Sequence, residues 1–303
     1  MADLSVRIAG VTFRNPVIAA SGTAGFGREL AELYPLSGLG GISCKGLTLA
    51  ERLGNPPPRI AETPGGMLNS VGLQNPGVGR FLRDDLPWLK KQGTAVIANI
   101  AGNTPEDYCR MAETLSESPV DLIELNISCP NVKQGGVQFG TTCAGVESIT
   151  AAVRRFCGKP LMVKLSPSVA DIAEIAAAAE SAGADALSLI NTLTGMRIDV
   201  RTRRPVLRNN TGGLSGPAVF PVAVRMVWQA ARRVKIPVVG MGGIRTWRDA
   251  AEMMLAGASA VQVGTALFSD PYAPLKIARG LERYLDENGI ASVSELTGGV
   301  RAW

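Results

Sequence analysis

The sequence predicts an α/β protein with a (β/α)8 barrel, the TIM barrel fold, because eight short apolar runs alternate with longer segments of helical periodicity. Several of these runs are apolar throughout, which is typical of parallel strands that helices cover on both faces. The chain shows no internal repeat, low-complexity segment or interdomain linker, so we expect residues 1–303 to form a single domain. The predicted strands are 17–20, 41–45, 95–99, 121–126, 161–165, 186–190, 237–240 and 260–264.

Capping residues and glycines mark the helices between these strands. Thr104 followed by Pro105 is typical of a helix N-terminus. Thr246 and Asp249 form a second capping pair, and Gly257 is a suitable helix stop. The predicted helices are 105–118, 145–156, 169–182, 217–234, 246–256 and 274–288.

Three connections, 46–78, 128–144 and 191–216, are too long to be simple loops. Each leaves the carboxyl end of a predicted strand, which is the face where barrel enzymes carry out chemistry. A doubly wound open sheet is the alternative fold. Its dinucleotide-binding motif is missing after the first strand, since the segment from Gly25 to Gly27 lacks a third glycine at the required offset.

Composition favours some classes of protein over others. The hydrophobic content of 46% is enough for one large core, and the net charge of +5 is compatible with a small anionic ligand. Basic and aromatic residues are not interleaved as in nucleic-acid-binding proteins. The N-terminus lacks the features of a signal peptide, and no apolar run approaches the length of a membrane span.

The five cysteines indicate free thiols. They show no CxxC pair, and the chain contains no histidine, so we expect no metal site. An odd number of cysteines in a long chain is typical of a reducing compartment, and we expect a cytoplasmic location. The cysteines are Cys44, Cys109, Cys129, Cys143 and Cys157.

Lysines and carboxamides lie at the ends of five predicted strands, the second to the sixth. Any one of them could be an ordinary loop residue, because asparagine favours turns. All five would converge on one barrel mouth, however, which favours a site for a flat polar ligand. These residues are Lys45, Asn99, Asn126, Lys164 and Asn191.

Glycines follow the last two predicted strands, at 240–243 and at Gly264, and Gly216 precedes a predicted helix. Backbone N–H groups at such turns bind anions, and in barrels the loops after strands seven and eight commonly hold a phosphate. The alternative is that these glycines only turn the chain. The pattern therefore indicates a phosphate group without identifying the molecule that carries it.

Cys129 lies between two carboxamides, Asn126 and Asn131, in a loop that follows an apolar strand. A free cysteine is usually a small buried hydrophobic residue, and we keep that interpretation for the other four. A thiol among polar loop residues can instead transfer a proton. Since the chain lacks histidine, the commonest proton-transfer residue is absent.

Five segments together resemble the class 1 dihydroorotate dehydrogenases, and within them the 1B catalytic subunits. The matching segments are 69–77, 126–131, 164–167, 242–244 and 264–265. The similarity extends from about Leu4 to the C-terminus. It implies an FMN-containing barrel that oxidises (S)-dihydroorotate to orotate in pyrimidine biosynthesis, with Cys129 removing the C5 proton while the C6 hydride passes to flavin N5.

The resemblance also implies which residues contact each ligand. The residues expected to hold the pyrimidine and its carboxylate are Lys45, Asn69, Ser70, Val71, Gly72, Leu73, Asn126, Asn131, Asn191 and Thr192. The residues expected to hold FMN are Ser21, Lys45, Gly46, Asn99, Asn126, Lys164, Ile190, Gly216, Gly242, Gly243, Gly264 and Thr265.

The 1B resemblance implies one FMN in this chain and a separate partner subunit. That partner would carry FAD and a 2Fe–2S cluster and pass electrons to NAD, in an assembly of two catalytic and two electron-transfer chains built on a homodimer of this chain. Three hypotheses stay open beside it: a dihydropyrimidine dehydrogenase-like reductase acting on uracil, a fumarate-using 1A enzyme, and a flavin-free phosphate-binding lyase or isomerase. Segment 133–136 favours 1B over 1A.

Overall fold

A computed structural model describes residues 1–128, 139–301 and 303 of the chain. Eight parallel strands form a closed barrel in chain order, and the last strand pairs with the first. The predicted (β/α)8 barrel is therefore confirmed, and the doubly wound sheet is wrong. The barrel strands are β1 (Val17–Ala19), β2 (Gly41–Ser43), β3 (Ala95–Ile100), β4 (Leu122–Asn126), β5 (Leu161–Lys164), β6 (Ala186–Leu189), β7 (Val238–Met241) and β8 (Ala260–Val263).

Helices cover the outside of the barrel, and the predicted caps define their ends. Thr104 Oγ1 accepts a hydrogen bond from the Asp107 N–H at 3.2 Å, and Thr246 makes the same contact with Asp249 at 3.3 Å. Gly257, at φ 124°, follows the helix that Thr246 begins. The α-helices are Arg28–Ala31, Val78–Arg80, Leu86–Leu89, Pro105–Ser116, Cys143–Arg154, Ile172–Ser181, Phe220–Ala231, Trp247–Leu255, Ala266–Ser269 and Ala273–Glu287. Shorter helical turns occupy Leu36–Gly38, Phe81–Asp85, Lys90–Gln92, Pro217–Val219 and Val293–Leu296.

One continuous hydrophobic core joins the barrel strands to the helices, extending in sequence from Val6 to Leu296. A short antiparallel hairpin, Val6–Ile8 with Val11–Phe13, precedes the first barrel strand. Within the described part of the chain, no helix combines the length and apolar character needed to cross a membrane.

A second sheet, which we call the mouth sheet, is built from two of the long connections. Its four antiparallel strands lie in the order Leu193–Gly195, Gly212–Ser215, Gly66–Asn69 and Ile60–Thr63. The connections after β2 and β6 thus pair with each other. Segment 198–205 adds a small hairpin within the second of them.

Gly66→Ala is expected to destabilise the mouth sheet, because a Cβ atom there would overlap the backbone carbonyl oxygen of Ser215. Backbone cannot move aside as a flexible side chain can, so the free energy of unfolding should fall by about 1–3 kcal/mol. Thermal unfolding of Gly79→Ala is the matched control, since nothing lies within 4 Å of a Cβ at that helical position. Equal unfolding temperatures for the two variants would contradict this account.

Candidate functional site

A cavity opens at the carboxyl ends of the barrel strands, and residues of the mouth sheet line part of its wall. Most site residues predicted from the sequence lie in it together, although they come from ten segments of the chain. These are Ser21, Lys45, Gly46, Asn69, Val71, Gly72, Leu73, Asn99, Asn126, Lys164, Ile190, Asn191, Thr192, Gly242, Gly243, Gly264 and Thr265.

Two predicted residues do not line the cavity. Ser70 is buried, and its hydroxyl oxygen accepts hydrogen bonds from Asn55 Nδ2 at 3.2 Å and Asn209 Nδ2 at 3.0 Å, two residues that do not line the cavity either. Gly216 packs behind Gly243, because a Cβ on Gly243 would lie 2.8 Å from the Gly216 carbonyl oxygen. The predicted residues Cys129 and Asn131 lie outside the described residues.

A buried carboxylate, Glu124 on β4, lies inside the barrel below the cavity. Its Oε2 accepts hydrogen bonds from Ser43 Oγ at 2.7 Å and Asn99 Nδ2 at 2.6 Å. Its Oε1 accepts hydrogen bonds from Ser188 Oγ at 2.7 Å and Gln262 Nε2 at 2.9 Å. Four donors from four other strands therefore converge on one carboxylate.

The surroundings of Glu124 favour the ionised form of its carboxyl despite its complete burial. Burial raises the pKa of its carboxyl, but the Lys164 ammonium and the hydrogen bonds from Ser43, Asn99 and Ser188 together lower that pKa below its ordinary value. A buried charge needs hydrogen bonds and a compensating charge, and Glu124 has four hydrogen bonds and the electrostatic influence of Lys164.

Lys164, at the end of β5, is the buried cation of the site, with a side chain only 5% exposed. The register pairs it with Asn126 on β4 and Ser188 on β6, so it shares their inward-facing side. Its ammonium group interacts electrostatically with the buried Glu124 carboxylate. Lys164 lines the cavity, where that ammonium can contact a ligand.

A chain of carboxamides connects the cavity floor to the start of the loop after β4. Asn126 Nδ2 donates to Asn99 Oδ1 at 3.4 Å, and Asn126 Oδ1 accepts from Ser128 Oγ at 3.1 Å. Asn191 Nδ2 donates to the same Ser128 hydroxyl at 2.7 Å and to the Ser128 carbonyl oxygen at 3.2 Å. Residue 128 is thus held from two strands, immediately before Cys129.

The glycines after β7 and β8 provide backbone hydrogen-bond donors and space for a ligand. The N–H group of Gly243 donates to no other residue in the described part of the chain, and Gly242 and Gly243 both line the cavity. A Cβ on Gly264 would meet only Ala20 and Thr23, at 3.5 and 3.7 Å, which are ordinary contacts. Because Gly264 has no side chain, the protein leaves space beside it in the cavity for a ligand.

Sequence reasoning missed Glu124 and Gln262. The signal was present, because each is a polar residue inside an otherwise apolar run, in Leu-Ile-Glu-Leu and in Ala-Val-Gln-Val. Gln262 also lines the cavity, and its Oε1 is a buried acceptor without a hydrogen-bond partner among the described residues. Such an acceptor fits an N–H group of a ligand.

The remaining predictions concern thiols and metals. Cys44 and Cys157 are buried, Cys109 is half-buried and Cys143 is exposed, and none of the four lines the cavity. Burial raises the pKa of the Cys44 and Cys157 thiols, which makes them poor nucleophiles. Within the described ranges, no group of three or more acidic or cysteine residues could hold a metal ion.

Comparisons with known proteins agree over almost the whole chain. A family model described as dihydroorotate dehydrogenase matches residues 3–285. The chain is 58% identical to the dihydroorotate dehydrogenase B (NAD(+)), catalytic subunit, of Geotalea uraniireducens, over 98% of this chain and 97% of that one. It is 59% identical to the protein of the same name from Geobacter sulfurreducens, over 98% and 97%. The corresponding Alkaliphilus oremlandii protein is 55% identical, over 98% of both chains.

Proposed function

The chain belongs to the dihydroorotate dehydrogenase family, and we propose that its cavity binds FMN and oxidises (S)-dihydroorotate to orotate in pyrimidine biosynthesis. The observation that carries this proposal is the convergence in one cavity of two lysines, four carboxamides and the unpaired backbone N–H group of Gly243. The side chains are Lys45, Lys164, Asn69, Asn99, Asn126 and Asn191. We take residues 1–303 as one FMN-binding domain, which the continuous core supports.

The residues of the cavity fit FMN. The unpaired N–H group of Gly243 suits its phosphate, and Gly242 and Thr265 line the same cavity. Lys164 would place a positive charge against the edge of the ring that becomes electron-rich. FMN, when bound, supplies the acceptor for a hydride from a carbon donor.

Orotate is a flat carboxylate with amide edges, and dihydroorotate has the same carboxylate and amide groups; carboxamides and an ammonium group match both. Lys45 would bind the carboxylate. Asn69, Asn126 and Asn191 would orient the amide edges, with Thr192 next to Asn191. Their common position in the cavity supports this assignment.

Cys129 would remove the C5 proton of dihydroorotate. It directly follows Ser128, which is buried and hydrogen-bonded to both Asn126 and Asn191. The chain contains no histidine, and the four other thiols lie outside the cavity. Cys129 is therefore the thiol whose sequence position favours contact with substrate.

Electrons would leave through a second protein. The relatives are named as catalytic subunits of NAD(+)-linked enzymes, which supports a separate electron-transfer subunit here. We propose that this partner carries FAD and a 2Fe–2S cluster, that NAD is the final acceptor, and that two chains of each kind assemble around a homodimer of this chain.

The test is to purify the chain with any partner that accompanies it and to record absorbance for FMN, FAD and iron–sulfur. We expect one FMN per catalytic chain, NAD-linked oxidation of dihydroorotate, and a flavin spectral shift with orotate. A shift with uracil and none with orotate would favour the dihydropyrimidine dehydrogenase-like alternative. A colourless protein that does not take up FMN would favour the flavin-free lyase or isomerase.

Asn191→Ala is expected to weaken orotate binding about tenfold without lowering the FMN content. The substitution removes a cavity carboxamide and both hydrogen bonds that Asn191 donates to Ser128, each with a net value of about 1 kcal/mol. Spectral titration with orotate measures the change. The control is Asn288→Ala, an exposed carboxamide at the end of a surface helix. Unchanged orotate affinity in Asn191→Ala would remove this residue from the substrate site.

A further inference from the structure

The buried carboxylate of Glu124 dictates how its neighbours are oriented. Carboxamide nitrogens donate and cannot accept, so Asn99 and Gln262 can both direct their N–H groups at residue 124 only if both of its oxygens accept. As a result, Asn99 directs its Oδ1 toward Asn126, and the Oε1 of Gln262 has no hydrogen-bond partner among the described residues. Glu124 thus fixes which atoms of two cavity side chains can meet a ligand.

Glu124 also balances the charge of Lys164. Both side chains are buried and inward-facing, on the neighbouring strands β4 and β5. The Lys164 ammonium and the Glu124 carboxylate interact electrostatically through the low-dielectric barrel interior. The floor of the cavity therefore holds one negative and one positive charge.

We propose that Glu124 is a positioning residue that orients Asn99 and Gln262 and offsets the charge of Lys164, and thereby sets the reduction potential of the cofactor bound above it. This proposal rests on the proposed function, because it requires a bound flavin. Glu124 does not line the cavity and acts only through the side chains that do.

Glu124→Gln removes the negative charge and keeps the shape of the side chain. Lys164 then lacks a compensating charge, which favours the electron-rich form of bound FMN. We expect the reduction equilibrium to shift at least tenfold toward the reduced form, which is about 30 mV for a two-electron couple. Equilibration with redox dyes measures it, and titration of the apoprotein with FMN gives the dissociation constant separately.

Lys164→Gln is expected to shift the same equilibrium in the opposite direction, again at least tenfold. The double variant, Glu124→Gln with Lys164→Gln, restores a neutral floor and should return to within about threefold of the wild type. Glu124→Asp keeps the charge and should keep the potential even if FMN binds less tightly. Glu252→Gln removes an exposed charge from an outer helix and is the control, for which we expect no shift.

A residue that only supports the fold would behave differently. Glu124→Gln would then lower the unfolding temperature and the FMN affinity with no change in potential, and the double variant would lie no closer to the wild type than either single variant. Either result overturns the role of Glu124. If Glu124→Gln fails to fold, Ser188→Ala decides, because it removes one donor from the carboxylate without touching the cavity.

For Ser188→Ala we expect a shift of at least twofold toward the oxidised form, since the carboxylate is then less well neutralised. An unchanged potential in a normally folded Ser188→Ala protein overturns the proposal. Failure of the wild type to take up FMN would instead overturn the proposed function. Wild-type protein that binds FMN and oxidises dihydroorotate, with an unaltered potential in Glu124→Gln, overturns only the role of Glu124.

Discussion

Replacing Cys129 with alanine is expected to slow the reduction of bound FMN by dihydroorotate by about 10²- to 10⁴-fold, the usual contribution of a general base. FMN and orotate should still bind, because the carboxamides and lysines that line the cavity are unchanged. Anaerobic stopped-flow measurement at the flavin absorbance gives the rate, and spectral titration gives the orotate affinity. Cys143→Ala, an exposed thiol at the start of a helix, is the matched control.

The pH dependence of the same single-turnover rate provides a second readout. A thiol ordinarily has a pKa of about 8.5, so only a few per cent is thiolate at neutral pH. As the pH rises from about 6 to 9, the thiolate fraction increases, and we expect the rate of flavin reduction to increase with it. A flat profile, or near-normal reduction in Cys129→Ala, would assign the base to another residue.

Gly264→Val is expected to abolish FMN binding, with an affinity loss of at least about a hundredfold, while the apoprotein still folds. A Cβ at this position makes only ordinary contacts, the nearest at 3.5 Å, so the protein itself accepts a side chain. The branched methyl groups would extend into the cavity that Gly264 lines, where we propose FMN to lie. Steric exclusion of this kind reduces ligand binding without removing any interaction of the fold.

FMN titration by fluorescence quenching, together with thermal unfolding of the apoprotein, tests this expectation. Gly79→Val is the control for introducing a valine at an open glycine, because nothing lies within 4 Å of its Cβ and it lies outside the cavity. Wild-type FMN affinity in Gly264→Val would mean that the cofactor occupies another part of the molecule. If Gly264→Val fails to fold while Gly79→Val folds, the structure's prediction that residue 264 has space for a side chain is wrong.

The barrel could be predicted from sequence because parallel strands covered on both faces leave a local signal, a short run of apolar residues. The strand-end residues Lys164 and Asn126 were predictable for a related reason, since the carboxyl ends of barrel strands meet on one face. Glu124, which interacts electrostatically with Lys164, was missed. The role of a single charged residue in an apolar strand depends on its hydrogen-bond donors. For Glu124 these include Ser43 and Ser188, which lie on strands distant in the sequence.

The mouth sheet was not predicted either. Its strands are three or four residues long, and Gly66–Asn69 pairs with Gly212–Ser215, a partner far away in the sequence. Strands this short carry almost no periodicity, and nothing local specifies a long-range pairing. The sequence shows that both connections are long. Their pairing with each other follows only from the closed barrel, which brings the two connections together.

That pairing has a consequence for synthesis on the ribosome. The hairpin from Ile60 to Asn69 leaves the exit tunnel early, and it keeps one edge without a partner until Gly212–Ser215 has been made. At about 5–20 residues per second, the interval is on the order of ten to thirty seconds. During that time the nascent chain presents an open strand edge, the feature that chaperones shield from aggregation. The ligand cavity is therefore among the last parts of the molecule to be completed.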